Sequence, residues 1–228
     1  MSLAERLPPE GFRQRGPLPT GTRLVFIRHG ECVANERGLA GGPIGDGGLT
    51  ERGRAQSRAL AHRVSITKEL HDARAFYTSL LPRAIETGAI VFGAINPDLA
   101  VQREEDLGEL RVGVADGLSW SEIEDRYELP NWDLDARQRN VPGGESLIEF
   151  HARCVAIIDS IVARHPREQV VIVSHGGVIE QAMKIYQGLD ASVRLRPRIE
   201  HLSMTEIEFH DAGMRLLRYN DLSPLGVE

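Results

Sequence analysis

The stretch RLVFIRHGECVAN, Arg23 to Asn35, changes character halfway along. Its first part is a short, apolar, β-branched run of the kind that makes a buried strand. It then ends on Arg28-His29-Gly30-Glu31. A buried strand has no use for these four residues, whereas a site that handles an anion can use all of them.

Working outward, strands alternate with helices. TRLVFIR (22–28) reads as a buried strand, followed by a glycine-rich loop, GLAGGPIGDGG (38–48). Thr50 can cap a helix through ERGRAQSRALAHRV, with Ala55, Ala59, Leu60 and Val64 on one face. AFYTS (75–79) is a second strand, and Pro82 suits the first turn of the next helix. LAVQREEDL (99–107) reads as a third strand with a polar end. Ser119-x-x-Glu122 is a capping box for a short helix ending near Tyr127. A long helix starts at about Ser146, QVVIVSHGG (169–177) is a strand, and Gly176-Gly177 opens a helix to about Gln187. SMTEIEFHD and MRLLRYND form a hairpin turning at Ala212-Gly213. The alternation predicts an α/β fold: a three-layer α/β/α sandwich, its central sheet mostly parallel with helices on both faces, ending in a C-terminal antiparallel hairpin. Residues 1–21, with Pro8, Pro9, Pro17 and Pro19, read as a flexible N-terminal arm, and 22–228 as a single domain.

Composition narrows the function. The chain has 228 residues, 41% of them hydrophobic, enough for one substantial core. A formal charge of −6 argues against a nucleic-acid partner, which would call for a basic face. Cys32 and Cys154 read as free thiols of a reducing compartment. The N-terminus lacks an apolar signal region and no run approaches a membrane span, so a cytoplasmic protein with no membrane partner is expected. No His-Glu-x-x-His or Cys-x-x-Cys occurs, so neither a metal nor another cofactor is expected. No apolar stripe announces an oligomer interface.

Ligands of open α/β sheets bind outside the carboxyl ends of the parallel strands. The first strand delivers Arg28 and His29 there. The second delivers Ser79 and then Arg83, the third leads toward Glu109, and the VVIVS strand delivers His175. Two arginines offer planar forks that match phosphate oxygens. A neutral histidine can attack phosphorus if its second nitrogen is held, and the backbone beside Gly30 is a candidate holder. Glu109 can protonate a departing alkoxide. Helix N-termini after His175 and near Asn35 can add backbone donors. The set points to phosphoryl transfer on a small-molecule phosphomonoester.

These residues resemble the histidine phosphatase superfamily, the phosphoglycerate-mutase-like proteins, from Arg23 to about Tyr219. The family's signatures appear as RHGECVAN, LTERGRAQ, SLLPRAIET, LGELRVGVADG, GGES and SHGG, in that order. The resemblance implies a phosphohistidine nucleophile at His29 and a phosphate pocket of Arg28, Asn35, Arg83 and His175. It implies Glu109 as the proton donor. Cys32 stands where the family usually has threonine, and Ala115-Asp116 where it usually has Trp-Glu.

The same pocket serves a phosphatase, in which water attacks the phosphohistidine, or a mutase, which excludes water. Mutases of the family carry a long insertion after the acid, and the segment from Glu109 to Glu145 is short. A metal-independent phosphatase is therefore expected, with a cofactor-dependent phosphoglycerate mutase and a non-catalytic phosphate-binding protein as alternatives. The cap, Val112 to Gly143, carries Trp120, Tyr127, Trp132, Arg126, Arg137 and Arg139, which suggests a polar, anionic leaving group. The two tryptophans read as packing or lid residues.

Overall fold

The strand that opens the sequence argument is central in space. In the computed structural model, which describes residues 21–222, β1 (Thr22–Arg28) pairs in parallel with β4 (Gln169–Ser174) and antiparallel with β5 (Met204–His210). Beyond β4 lie β2 (Ala73–Thr78) and the edge strand β3 (Val101–Arg103), both parallel. β6 (Gly213–Asp221) closes the other edge, giving the order β3-β2-β4-β1-β5-β6.

Period-two alternation sends neighbouring side chains of β1 to opposite faces. Leu24 and Phe26 enter one core with Val170 and Ile172 of β4. That core is sealed by α5 (Leu147–Arg164) and α6 (Gly176–Gln187), through Ile157, Ile158, Ile161, Val178 and Ile179. Val25 and Ile27 enter the other core with Val171 and Val173. There α2 (Glu51–Thr67) and α3 (Pro82–Ile95) cover the sheet, and Phe76 stacks on Phe92 with ring centroids 4.4 Å apart. Two apolar faces on every central strand explain why these strands read as continuous hydrophobic runs. The result is the three-layer sandwich with its C-terminal hairpin.

Local chemistry sets the helix ends. Thr50 Oγ1 accepts from the Gly53 N–H, and Pro82 occupies the first turn of α3. Ser119 and Ser146 both close capping boxes, with Glu122 and Glu149, onto α4 (Trp120–Arg126) and α5.

Four readings change. The third strand is Val101–Arg103, not 99–107. An edge strand has one partner, and the chain then winds into a 3-10 turn that drops Leu107, fully buried, into the core. The buried face of α2 is Gly53, Ser57, Leu60, Ala61 and Val64, so Ala55 and Ala59 face solvent. Close approach decides that rotation: a Cβ at Gly53 would lie 2.0 Å from the Glu31 carbonyl oxygen. The helix expected to start near Asn35 is α1 (Val33–Arg37), which starts two residues earlier and is only five residues long. The hairpin turns at Asp211-Ala212, and Gly213, at φ 126°, already begins β6.

The arm, residues 1–21, lies outside the described residues except for Gly21, whose N–H donates to Glu208. Among the described residues no helix is long and apolar enough to cross a membrane. Cys32 and Cys154 are free and buried. Ile172, fully buried at the centre of β4, provides a test of the packing. Ile172→Ala should cost about 2–5 kcal/mol in denaturant unfolding; a cost below about 1 kcal/mol would contradict the packing described.

Candidate active site

The carboxyl ends of β1 and β4 lie side by side, Arg28 opposite Ser174, so the residues that follow them meet. His29 is 3% exposed and His175 fully buried, their ring centroids 5.1 Å apart. His29 Nδ1 lies 2.7 Å from the Gly30 carbonyl, which can only accept, so Nδ1 carries the proton. Nε2 is then a lone pair, and the Arg83 Nε–H donates to it at 3.1 Å. The same Nε lies 3.3 Å from His175 Nδ1, which must accept too. His175 Nε2–H therefore donates to Ser79 Oγ, at 2.7 Å. One N–H thus faces two lone pairs. His29 Nε2 and His175 Nδ1 therefore compete for the single Arg83 Nε–H, and a proton gained at His175 Nδ1 would relieve the shortage of donors.

Burial first, and then the charge of Arg83, drives both imidazoles well below their ordinary pKa of 6.5, so both are neutral in the resting site. The Gly30 contact opposes this at His29 without reversing it.

Arg83 comes from the first turn of α3 and is itself buried. Asp46, 1% exposed, holds it: Arg83 Nη1 donates to Oδ2 at 2.5 Å, and the Arg83 backbone N–H donates to Oδ1 at 3.0 Å. Nη1 also donates to the Gly41 carbonyl. Arg28 Nη1 donates to the Ile199 carbonyl at 2.6 Å, but its Nε is buried with no partner among the described residues. Burial lowers the Arg28 pKa while the charge of Glu109 opposes that shift, and the two side chains approach adjacent glycines, Arg28 at Gly176 and Glu109 at Gly177. An orphaned buried N–H donor is the mark of an absent acceptor.

Glu109 sits against the start of α6. The Gly177 N–H donates to its Oε2 at 3.0 Å and the Leu110 N–H to Oε1 at 2.9 Å. A Cβ at Gly177 would lie 2.0 Å from Oε1, so only glycine allows this approach. Its backbone is clamped by Arg153, which donates to the carbonyls of Asp106, Gly108 and Glu109 and, from Nε and Nη2, to Glu145. Burial would raise the Glu145 pKa, but its bonds from Arg153 and Arg111 hold it below the ordinary range. Glu145 is the glutamate of GGES.

Of the six predicted residues, the structure gathers Arg28, His29, Arg83, Glu109 and His175. Asn35 is exposed on α1 and no contact joins it to either histidine; its Oδ1 accepts from Cys32 Sγ at 3.0 Å. Among the described residues no three His, Cys, Asp or Glu side chains group as metal ligands would. Two contributors went unread in the sequence, Asp46 and His201, whose Nδ1 donates to the His29 carbonyl at 2.9 Å, and Thr87, the last residue of SLLPRAIET, gains a role by accepting from the Gly30 N–H. Asp46 is a lone acid among glycines and His201 an isolated histidine, so only the folded contacts identify them.

A cavity of about 370 Å³ opens beside Glu109, walled by Gly41, Leu81, Leu110 and Val112. A larger hollow, about 520 Å³ between α2 and Glu200–Leu202, includes only His201 from the catalytic neighbourhood. Neither is lined by His29 or His175, but the smaller one holds Glu109 and Gly41, whose carbonyl binds Arg83. The expected cationic cap does not line it: Arg126 pairs with Glu122, Arg139 with Glu149, and Trp132 Nε1 donates to the Gln138 carbonyl.

The chain is similar in sequence and fold to known proteins. The metal-independent phosphoserine phosphatase of Arabidopsis thaliana is 31% identical over 90% of this chain and 83% of its own. Phosphoglycerate mutase-like protein 4 of the same plant is 30% identical over 89% and 86%. The solved structure of Bacillus stearothermophilus YhfR superimposes with a TM-score of 0.75 at 29% identity, covering 89% of this chain and 98% of that one. Residues 24–222 match the histidine phosphatase superfamily (branch 1), and the chain belongs to that family.

Proposed function

We propose that the protein is a metal-independent phosphomonoesterase that works through a phosphohistidine at His29. The observation that carries this reading is the single tautomer imposed on His29, with Nδ1–H on the Gly30 carbonyl and the Nε2 lone pair facing Arg83.

The reaction has two displacements. His29 Nε2 attacks phosphorus and the bond from phosphorus to the leaving oxygen breaks. The ring gains positive charge as the N–P bond forms, and the Gly30 carbonyl already points at Nδ1–H to stabilise it. Arg28 Nε and the Arg83 guanidinium hold the non-bridging oxygens. Glu109 gives its proton to the leaving alkoxide. Water then attacks phosphorus, Glu109 takes back a proton, and His29 is released neutral.

Water must reach the phosphohistidine in a phosphatase. The cavity at Glu109 is rimmed by Leu80, 47% exposed, and by Glu105, whose side chain is 72% exposed, which supports hydrolysis over mutase transfer. The relatives named as a phosphoserine phosphatase and as a mutase-like protein fit either outcome of the shared first step.

Phosphate release from p-nitrophenyl phosphate should persist in EDTA and fall by at least about a thousandfold in His29→Ala. Loss of activity in EDTA, or survival in the variant, overturns the reading. A wild type that is inert as a hydrolase but interconverts 2- and 3-phosphoglycerate would establish the mutase. Glu109→Gln should lose far more rate on an alkyl phosphate than on p-nitrophenyl phosphate, whose leaving group needs no proton. Equal losses on both would remove Glu109 as the acid.

The pKa directions give a fourth expectation. His175 is neutral when the site is empty, and a bound dianion beside Nδ1 favours its protonation. Its pKa rises from below 6.5 on binding, so binding takes up a proton and tightens as pH falls from 8 to 6. Sulfate, a dianion throughout this range, is the probe. Calorimetry in two buffers of different ionisation enthalpy should show proton uptake in the wild type and none in His175→Gln.

A further inference from the structure

The cavity beside Glu109 touches the chemistry at three points. Glu109 is its acid, Gly41 carries the carbonyl that binds Arg83, and the Leu81 N–H donates to Ser79, the partner of His175. A leaving group attached to a phosphoryl centre at His29 therefore lies here.

Its walls have a definite chemistry. Pro43, Leu80, Leu81, Leu110 and Val112 supply apolar surface, and five glycines add no side chain at all. The charged members are Glu105, Glu109, Asp116 and Arg111. Arg111 is the one cation among the described lining residues, and carboxylates already surround it: Glu105 at 3.0 Å, Asp106 at 3.3 Å and Glu145 at 3.8 Å. Asp116 accepts three backbone N–H groups, from Gly42, Ile44 and Gly45, which fix its carboxyl group in the wall. Two arginines of the cap, Arg126 and Arg139, are spent on other carboxylates outside the cavity.

We propose that this cavity selects uncharged, largely apolar leaving groups and rejects those bearing a carboxylate. The inference rests on the phosphomonoesterase reading and names the substrate class of that site. A carboxylate in the cavity would meet the carboxylates of Glu105 and Asp116 and one preoccupied cation, and would lose its water for contacts with leucine and proline. An alkyl or aryl group would gain those contacts and give up little hydration.

The test compares n-propyl phosphate with 3-phosphonooxypropanoate, which differ by a terminal carboxylate and release alcohols of similar acidity. We expect kcat/KM to favour the neutral ester by at least about tenfold. In Leu80→Arg, a rim substitution that adds an unpaired cation, the ratio should narrow by at least about threefold. Equal or reversed preference in the wild type overturns the inference while leaving the phosphatase intact. Binding of the two esters to His29→Ala, followed by calorimetry, reads the same preference without turnover. If neither ester is bound or hydrolysed, both readings fall.

Discussion

The buried ion pair of Arg83 and Asp46 is the constraint on which the site depends. A guanidinium 4% exposed to solvent cannot stand unpaired. Asp46 meets its charge, accepts the backbone N–H at the start of α3, and accepts the Gly48 N–H of the glycine-rich loop. One carboxylate thus fixes the loop, the helix and the arginine together. It also sets the charge account of the site. Asp46 already balances Arg83, so the charge left for a bound phosphoryl dianion is that of Arg28 and of whatever proton His175 acquires. Removing one member of such a pair strands the other, at a cost of about 3–5 kcal/mol, and would strip His29 Nε2 of its donor at the same time.

Much of this was legible in the sequence, for physical reasons. β1 and β4 read as buried strands because both faces of each are covered. Arg28, His29 and His175 follow directly on those strands, so strand pairing alone brings them together. Caps at Thr50, Ser119 and Ser146 obey local hydrogen-bond chemistry that tertiary structure had no reason to override. What escaped was non-local. Asp46 is defined by its contact with Arg83, His201 by the His29 carbonyl, and the tilt of α2 by the approach of Gly53 to Glu31. None of these leaves a periodic trace.

The cap teaches a narrower lesson. Counting its arginines suggested a cationic site, but composition does not say where a charge is spent. Arg126 and Arg139 each have an acid within reach on the cap or on α5. The cap packs instead on a small core of its own, Ala40, Ala115, Ile123 and Val141, separate from the two cores of the sheet. Its sequence can vary without disturbing the strands that hold the histidines.

The position of β1 has a consequence for how the molecule is made. It is first in the chain among the described strands, yet its two neighbours, β4 and β5, come from the last third. During synthesis Leu24 to Ile27 emerge early and have no strand beside them until residues 169–174 leave the ribosome, and none on the other edge until 204–210. A growing chain therefore carries an uncovered aggregation-prone segment until β4 and β5 follow. His29 meets His175 only once β4 has been made, so a chain still lacking β4 has no assembled site to leave open in the cell.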